Sequence, residues 1–235
     1  MGFFGQNIPA SYPLSSEVSL LLHFDGANNS TTFTDSSTNN FSVTRNGDAK
    51  ISTTEYKFGG ASGFFDGNGD YLTVGASGTT QLQMGTSHFT MEGWFRFSTV
   101  PSGVNYAYFL TLGGNNANGI GYFVRGGKIE IWHNGSSRLV CNTTLIADTW
   151  YHIAFVRSFG RIRVYLDGTE DGNVAFTSNL SNGAVAIGNW AGVDNTYFHG
   201  YIDELRIVKG RCLYPFAFTS TSDTFSAPSS EFPNP

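Results

Sequence analysis

The sequence predicts an all-β protein, either a β-sandwich or a β-barrel, from three observations. Apolar and polar residues alternate along almost the whole chain, which is typical of strands with one buried face. Turn-forming residues separate these strands about every ten residues, as in sandwiches and barrels. No stretch with helical periodicity exceeds two turns, which excludes a parallel sheet built from strand–helix–strand units.

Four segments alternate most cleanly and are predicted as strands: residues 89–97, 128–132, 151–157 and 161–166. Residues 125–128 and 158–161 lie between two such strands and carry the glycines of tight hairpin turns. Residues 66–70 separate two further strands in the same way. Within the last of the four strands we expect Tyr165 to face outward, toward the solvent.

The composition is that of a globular protein. The 235 residues are 40% apolar, 15% aromatic and 13% charged, with a net charge of −5. The aromatic content excludes a disordered chain, which cannot bury so much surface. The acidic balance argues against nucleic acid, which needs a basic face, and no apolar run reaches the roughly 18 residues of a membrane span. We therefore predict one domain with neither a nucleic-acid partner nor a membrane span.

The two ends of the chain lack the alternation of the middle. Residues 1–16 and 217–235 are assigned as an N-terminal and a C-terminal arm, flanking a domain at residues 17–216. Burial of a phenylalanine contributes about 1.5–3 kcal/mol, and the arms carry Phe3, Phe4, Phe218, Phe225 and Phe232. We expect these rings to dock on a neighbouring molecule. One alternative is that the arms are frayed chain ends. Another is that they fold back over their own domain and cover a sheet edge.

Two features bear on the compartment of the protein. The N-terminal residues show no basic region followed by an apolar stretch, so no secretory signal is expected. Cys141 and Cys212 lie far apart in sequence. A disulfide between them is one option, but isolated cysteines of this kind are typically free and buried.

Three segments combine in a recognisable order: FTMEGWF at residues 89–95, WYHIAFVR followed by RVYLDG within residues 150–168, and FHGYIDELRI at residues 198–207. Together they resemble the laminin G-like, concanavalin A-like jelly-roll superfamily. Residues 21–26 and 65–72 resemble the first strands of the same pattern, so the resemblance covers residues 18–214. It implies an antiparallel β-sandwich of the jelly-roll type.

The sequence lacks the motifs of common catalytic sites: no nucleophile elbow, metalloprotease helix, phosphate-binding loop or dinucleotide fingerprint occurs. Some concanavalin A-like proteins are glycosidases, and a glycosidase needs two carboxylates about 5–10 Å apart. Asp203 and Glu204 are adjacent on one strand and are expected to point to opposite faces. Glu92 is the lone acid of its strand. We therefore predict that the protein is not an enzyme.

The resemblance also implies a calcium site, because relatives of this superfamily often hold one Ca²⁺. Asp25 and Asp203 match acidic positions that resemble the calcium ligands of the family, and Asp35 is a third candidate. Such hard cations bind carboxylate and carbonyl oxygens. The alternative for Asp25 and Asp35 is that they stabilise turns through hydrogen bonds to the backbone.

Aromatic and amide side chains in loops are typical of sugar-binding surfaces, because sugar faces stack on rings while amides bond the hydroxyl groups. The candidate ligand-binding residues are Trp132, Asn134, Asn189, Trp190, Asp194, Asn195 and Tyr197. The alternative for a tryptophan in such a loop is a lid over the edge of the core.

Residues 206–214, followed by an aromatic tail, resemble the version of this domain found in bacteriophage virion proteins. The resemblance implies a non-catalytic structural protein of the virion, a capsid decoration or a tail-associated adhesin, assembled in the host cytoplasm. Its expected partners are shell or tail proteins, further copies of itself and a host-surface glycan. The alternative is a carbohydrate-binding module of an exported or cell-surface protein.

Overall fold

The chain folds as a sandwich of two antiparallel β-sheets, which confirms the predicted fold class. The computed structural model describes residues 16–113, 118–190, 196–214 and 224–235. The strands in these ranges are β1 (Val18–Leu22), β2 (Val43–Asn46), β3 (Lys50–Ser52), β4 (Ser62–Asp66), β5 (Tyr71–Val74), β6 (Phe89–Phe97), β7 (Tyr106–Leu112), β8 (Ile120–Arg125), β9 (Lys128–His133), β10 (Ser136–Thr144), β11 (Trp150–Ser158), β12 (Arg161–Leu166), β13 (Thr169–Ala175), β14 (Val185–Ile187) and β15 (His199–Lys209).

The long strand β15 organises the larger sheet. This eight-stranded sheet has the order β13-β12-β11-β6-β15-β4-β3, and β1 pairs with β15 beside β4. The seven-stranded sheet has the order β10-β9-β8-β7-β14-β5-β2. In the described part of the chain, no helix is long and apolar enough to cross a membrane.

The core between the sheets is built largely from aromatic rings. Phe155 of β11 stacks on Tyr122 of β8 with ring centroids 3.8 Å apart. Phe97 of β6 packs edge-on against Phe109 of β7 at 5.6 Å and against Phe198 at 5.2 Å. Strand alternation sends every second side chain into this layer, so the period-two pattern correctly identified the buried face.

The predicted hairpin turns are confirmed. Phe159 and Gly160, between β11 and β12, have φ values of 46° and 73°, and Gly126 and Gly127, between β8 and β9, have φ values of 57° and 80°. Positive φ at both central residues identifies turns whose twist matches that of the paired strands. Glycine at the second position adopts this backbone without a steric penalty.

Residues 66–70 do not form a hairpin, although the sequence suggests one. They connect β4 of the eight-stranded sheet to β5 of the seven-stranded sheet. The carboxylate of Asp70 holds this crossing, because its Oδ1 accepts the backbone N–H of Asp48 at 2.6 Å and its Oδ2 accepts that of Asp66 at 3.0 Å. Turn residues therefore predicted the break between the strands but not the sheet to which each strand belongs.

The two cysteines are free. Cys141 is buried in the core between the sheets, where burial raises the pKa of its thiol. Cys212 packs partly buried against the opposite side of the eight-stranded sheet, beside Ala154, Val156 and Tyr165. Cys141 therefore serves as a small apolar group, whereas the thiol of Cys212 donates to the carbonyl oxygen of Tyr214 at 2.9 Å.

Residues 224–235, here called the C-terminal strap, cross the outer face of the eight-stranded sheet. Thr224 forms an isolated β-bridge with the first residue of β13, and the ring of Phe225 stacks on that of Tyr214 at 3.6 Å. Phe232 is only 5% exposed and packs on side chains of β1 and β15. The strap is thus part of the folded domain.

Phe225 and Phe232 pack on their own domain, as in the alternative given for the arms, and they cover a sheet face rather than an edge. The physical reason lies in the outward row of the strands. Tyr165, expected in the solvent, is buried with its ring 5.2 Å from that of Phe225, and such an apolar surface needs a cover. Phe3, Phe4 and Phe218 lie outside the described residues.

We expect Phe232→Ala to lower the free energy of unfolding by about 2 kcal/mol, because the variant exposes an apolar pocket. Urea denaturation followed by tryptophan fluorescence measures the change. Phe159→Ala is the matched control, since Phe159 is 61% exposed, and its effect should stay within about 0.5 kcal/mol. Equal stabilities of the two variants would contradict the packing role of the strap.

Candidate functional site

An aromatic face covers the outer surface of the seven-stranded sheet. Its members are Tyr106 and Tyr108 of β7, Phe123 of β8, Trp132 of β9, and Trp190. The ring centroids are 4.6 Å apart for Tyr108 and Trp190, 5.0 Å for Tyr108 and Phe123, and 6.3 Å for Phe123 and Trp132. Alternation places these rings outward, because the residues between them along each strand enter the core.

Trp190 lies over a glycine of the underlying strand. A Cβ at Gly121 of β8 would stand 2.8 Å from a ring carbon of Trp190 and 2.7 Å from one of Tyr108. No larger residue fits there without moving the two rings. Trp190 is 4% exposed, so it acts as the lid that the sequence offered as the alternative to a ligand platform.

The accessible part of the aromatic face combines two rings with a fixed polar group. Tyr106 is 37% exposed and Trp132 is half-buried. Beside Phe123, Arg125 donates from Nε and Nη2 to the two carboxylate oxygens of Glu130 at 2.9 Å and 2.6 Å, and its guanidinium lies 5.6 Å from the ring of Phe123. Charge-assisted bidentate pairs of this kind are geometrically rigid. The buried members therefore hold the exposed rings in a preformed arrangement.

Of the predicted ligand-binding residues, the structure brings together Trp132 and Trp190. Asn189 is buried, and its Oδ1 accepts the backbone N–H of Trp190 at 2.7 Å and the hydroxyl of Thr196 at 2.5 Å, so it closes the loop rather than facing a ligand. Asn134 forms the exposed turn between β9 and β10 with φ 50°.

Tyr197 packs beside Tyr71, with ring centroids 6.4 Å apart, and forms a β-bridge with Tyr108. This bridge places its backbone against the aromatic face. Asp194 and Asn195, the two remaining candidates, lie outside the described residues.

The sequence analysis missed Tyr106, Tyr108 and Phe123. Tyrosines two residues apart were an available signal, because residues at positions i and i+2 of a strand share a face. The segment that became β7 was not identified as a strand, so this signal was not used. The ion pair of Arg125 and Glu130 was also missed. The two residues lie on neighbouring strands, and their proximity depends on the pairing of β8 with β9.

A β-bulge in β15 overturns the expected orientation of the two adjacent acids. Ile202 and Leu205 both lie in the core between the sheets, so the two residues between them are both excluded from it. The ladder with β6 shifts between Asp203 and Arg206, and Glu204 has a φ of 53°. The prediction that Asp203 and Glu204 point to opposite faces is therefore wrong, because the bulge adds one residue to the strand.

Asp203 is buried beside other acids. Its Oδ2 accepts the backbone N–H groups of Lys57 at 2.7 Å and Phe58 at 3.0 Å. The pKa of Asp203 is raised to about 7, chiefly by burial and to a lesser extent by the charges of Glu204 and Asp25, while the two backbone amides oppose the rise. Asp25 is exposed, and its pKa is also raised, first by partial burial.

Asp35 fits the turn-stabilising alternative. Its Oδ1 accepts the backbone N–H groups of Leu21 and Ser37 at 3.0 Å and 2.9 Å, and its Oδ2 accepts the Ser37 hydroxyl and the Phe41 N–H, both at 2.8 Å. Four donors on one buried carboxylate occupy its lone pairs. Of the three predicted metal ligands, Asp35 is thus a turn-stabilising residue, and Asp25 and Asp203 stay a prediction.

A different set of acids comes together in the crossing between the sheets. Asp48, Asp66 and Asp70 have carboxylate oxygens within 4.8 Å of one another. Asp70 is buried, and burial raises its pKa to about 6. The hydrogen bonds of Asp70 to the backbone of its two neighbours explain this proximity as structural.

Glu92, the lone acid of β6, is the centre of a buried polar network. Its Oε1 accepts Nε and Nη2 of Arg206 at 3.0 Å and 2.6 Å, and its Oε2 accepts Nε2 of His152 at 3.1 Å and the hydroxyl of Tyr214. Burial alone would raise the pKa of Glu92, but the charge of Arg206 and the bonds from His152 and Tyr214 lower it to about 2. Glu92 is therefore a structural anion.

A family model described as the concanavalin A-like lectin/glucanases superfamily, of the laminin G type, matches residues 66–213. No curated protein matches the chain in sequence. The structural prediction of a concanavalin A-like jelly roll is confirmed by this match.

Three solved structures with the same fold are named as binding domains of a mosquitocidal protein and of botulinum neurotoxins. The binding domain of Paraclostridial Mosquitocidal Protein 1 has a TM-score of 0.67 and 14% identity, covering 86% of this chain and 50% of that chain. The receptor binding domain of botulinum neurotoxin C/D mosaic serotype has a TM-score of 0.62 and 16% identity, covering 84% and 49%. The botulinum neurotoxin serotype D binding domain has a TM-score of 0.64 and 14% identity, covering 85% and 49%. The chain spans about half the length of these structures, and at such identities the likeness shows the fold.

We expect the free energy of unfolding to fall as the pH rises from about 7 to about 9.5, in part through His23. The hydrogen bond to Glu204 raises the pKa of His23 from 6.5 to about 9, although burial opposes it. A raised histidine pKa stabilises the folded state fully below the unfolded pKa, and this contribution is lost as the pH passes the folded pKa.

Urea denaturation at several pH values measures this loss, with His23→Gln as the comparison. The variant should show a shallower decline over that range, because it cannot titrate. Parallel declines in the two proteins would exclude the His23–Glu204 pair as the cause.

Proposed function

The chain belongs to the concanavalin A-like lectin/glucanases superfamily, and on that premise we propose that it is a non-catalytic binding domain that holds glycans on its aromatic face. One observation carries the proposal. Tyr106 and Trp132 are accessible, and the buried ring of Phe123 lies between them, 5.8 Å from Tyr106 and 6.3 Å from Trp132, beside the buried rings of Tyr108 and Trp190. An accessible pair of rings supported in this way is a preformed platform.

The chemistry of the aromatic face suits a sugar. Tyrosine and tryptophan offer a large apolar surface together with a hydrogen-bonding group, and the apolar face of a pyranose stacks on such rings. The carboxylate of Glu130 also accepts the hydroxyl of Ser137 at 3.0 Å, so polar groups with settled orientations border the rings. Preorganisation of this kind raises affinity because little order is lost on binding.

The similar structures support a binding role by analogy. Their names describe a binding domain and receptor-binding domains, and this chain shares their sandwich. The same architecture hosts unrelated functions, so the argument for this chain rests on its own exposed rings. Glu92 adds support for a non-catalytic domain, because four donor groups on it leave it without a role as a catalytic acid or base.

For the wider role we propose a structural protein of a bacteriophage virion, a capsid decoration or a tail-associated adhesin that contacts a host-surface glycan. The resemblance of residues 206–214 to virion versions of the domain supports this role. The alternative is a carbohydrate-binding module of an exported or cell-surface protein. Mass spectrometry of purified particles distinguishes the two, since a virion protein co-purifies with shell or tail proteins.

A calcium ion held by Asp25 and Asp203 is a further part of the proposal. Asp203 is a buried carboxylate with a pKa of about 7 beside the charges of Glu204 and Asp25. A divalent cation there would neutralise this repulsion, and oxygen ligands are those that calcium prefers. Asp35 is left out, because its oxygens are occupied.

We expect Trp132→Ala and Tyr106→Ala each to weaken glycan binding about tenfold, the loss of roughly one stacking contact. A glycan array identifies a ligand of the wild-type protein, and isothermal titration then compares the variants. Phe159→Ala is the matched control, because it removes an exposed ring from the other sheet. Binding that survives in both aromatic-face variants would place the ligand elsewhere.

We expect millimolar Ca²⁺ to raise the melting temperature relative to a chelator, because a ligand that binds only the folded state stabilises it. Differential scanning fluorimetry measures the shift. Asp25→Asn should remove the shift, whereas Asp48→Asn, in the other acidic group, should retain it. Identical melting curves of the wild-type protein with Ca²⁺ and with chelator would remove the ion from the proposal.

A further inference from the structure

The C-terminal strap is attached to the domain at two places. At the first, the N–H of Phe225 donates to the carbonyl oxygen of Gly168 at 2.9 Å, and its ring stacks on Tyr214. At the second, the N–H of Phe232 donates to Oε2 of Glu204 at 2.5 Å, and its ring lies 3.8 Å from the guanidinium of Arg206. Each attachment joins a backbone hydrogen bond to an aromatic contact.

A third contact closes the far end of the strap. His23 donates from Nδ1 to Oε1 of Glu204 at 2.7 Å and from Nε2 to Oδ1 of Asn234 at 3.0 Å. His23 therefore joins the receiving carboxylate to the strap. The charged groups around it are Glu204, Asp25 and, on the strap, Glu231 beside Asp25.

The groups that receive the strap are adapted to it. A Cβ at Gly168 would overlap the carbonyl oxygen of Phe225, so the strap requires glycine there. Glu204 keeps a φ of 53°, a backbone conformation that is unfavourable for a non-glycine residue. The bulge places its carboxylate under the N–H of Phe232. We call the receiving surface, formed by His23, Gly168, Glu204, Arg206 and Tyr214, the strap groove.

The strap adds nothing to the core between the sheets. Every member of that core precedes Val208 in the chain, and among the described residues the strap has one isolated bridge to a strand. Its contacts are thus those of an extended segment in a groove. Such a segment can leave without breaking a strand ladder of the sandwich.

We propose that the strap groove is an exchangeable docking site that accepts residues 224–235 of a second copy of this chain. The strap itself contacts only the folded sandwich in the bonds described above, so a strap from another copy forms the same contacts. Thr224 follows Tyr214 by ten positions in the sequence, and ten steps of extended chain span at most about 33 Å, which is the greatest reach that the link allows an exchanged strap. Reciprocal exchange gives a symmetric dimer, the commonest outcome of swapping an identical element.

This inference is independent of the glycan proposal, because the groove and the aromatic face lie on different sheets. It assigns a surface for self-association, which the sequence analysis predicted without a site. In the wild-type chain, the groove is filled either by its own strap or by that of another copy. Its own strap has the higher effective concentration, which favours the closed monomer. The test must therefore disable closure within one chain.

The experiment mixes two full-length variants. In Phe225→Ala/Phe232→Ala the strap is defective and the groove intact. In Gly168→Ala/Glu204→Gly the strap is intact and the groove defective: the new methyl group meets Phe225, the acceptor of the Phe232 N–H is gone, and glycine suits the φ of position 204. We expect a 1:1 heterodimer by size-exclusion chromatography with light scattering, and monomers of each variant alone.

Gly160→Ala/Glu204→Gln is the matched control for the groove variant. Gly160 has a φ of 73°, close to the 82° of Gly168, but a Cβ there meets only Thr177 at 3.4 Å. The control groove remains able to hold its own strap, so mixing this variant with the strap-defective one should give at least about tenfold less heterodimer. Equal yields would show that the association does not use the groove.

A labelled peptide of residues 224–235 gives a second measurement. Fluorescence anisotropy should show binding to the strap-defective variant at least about tenfold tighter than to the wild-type chain, whose own strap competes. If the double variant does not fold, Phe232→Ala alone replaces it. Cooperative melting of the variants with neither heterodimer nor peptide binding would overturn the proposal.

Discussion

The pairing of β15 with β6 is the constraint on which the rest of the structure depends. Arg206 lies opposite Glu92 in this ladder, directly after the bulge, and the two side chains form a buried ion pair. Removing one partner of such a pair typically costs about 3–5 kcal/mol, because the other charge stays buried and uncompensated. The pair therefore holds the bulge in register.

The bulge decides which side chains of β15 reach each face. It leaves Leu205 and Ile207 in the core, and it puts Asp203 and Glu204 on the side where the strap and the loop around Lys57 approach. An unbulged strand would send Arg206 into the core, where its charge could not be satisfied. One inserted residue thus creates both the acidic pair and the receiving site of the strap.

The aromatic side chains on the two outer faces of the sandwich are shielded from solvent in different ways. Both carry aromatic rows, because period-two alternation repeats on each side of a sheet. On the eight-stranded sheet the C-terminal strap covers the row around Tyr165. On the seven-stranded sheet the rings cover one another, and Trp190 closes over Gly121. Tyr106 and Trp132 remain partly accessible there, which makes that face the better candidate for an external ligand.

The sequence by itself determined the strands and their turns. β6 and β12 begin and end at the residues that alternation predicted, and the turn at Phe159 and Gly160 follows from local backbone preferences. The family segments also determined the sandwich. These features depend on neighbours along the chain, where side-chain direction follows from spacing alone. Only the tertiary structure decided that residues 66–70 change sheets, that Trp132 and Trp190 belong to one aromatic cluster, and that Asp35 accepts four hydrogen bonds from its surroundings. The tertiary structure also decided that Asp203 and Glu204 point to the same side of the sheet and that Phe232 packs on β1 and β15. Pairing between distant strands sets their register, and a single bulge reverses the face that alternation predicts.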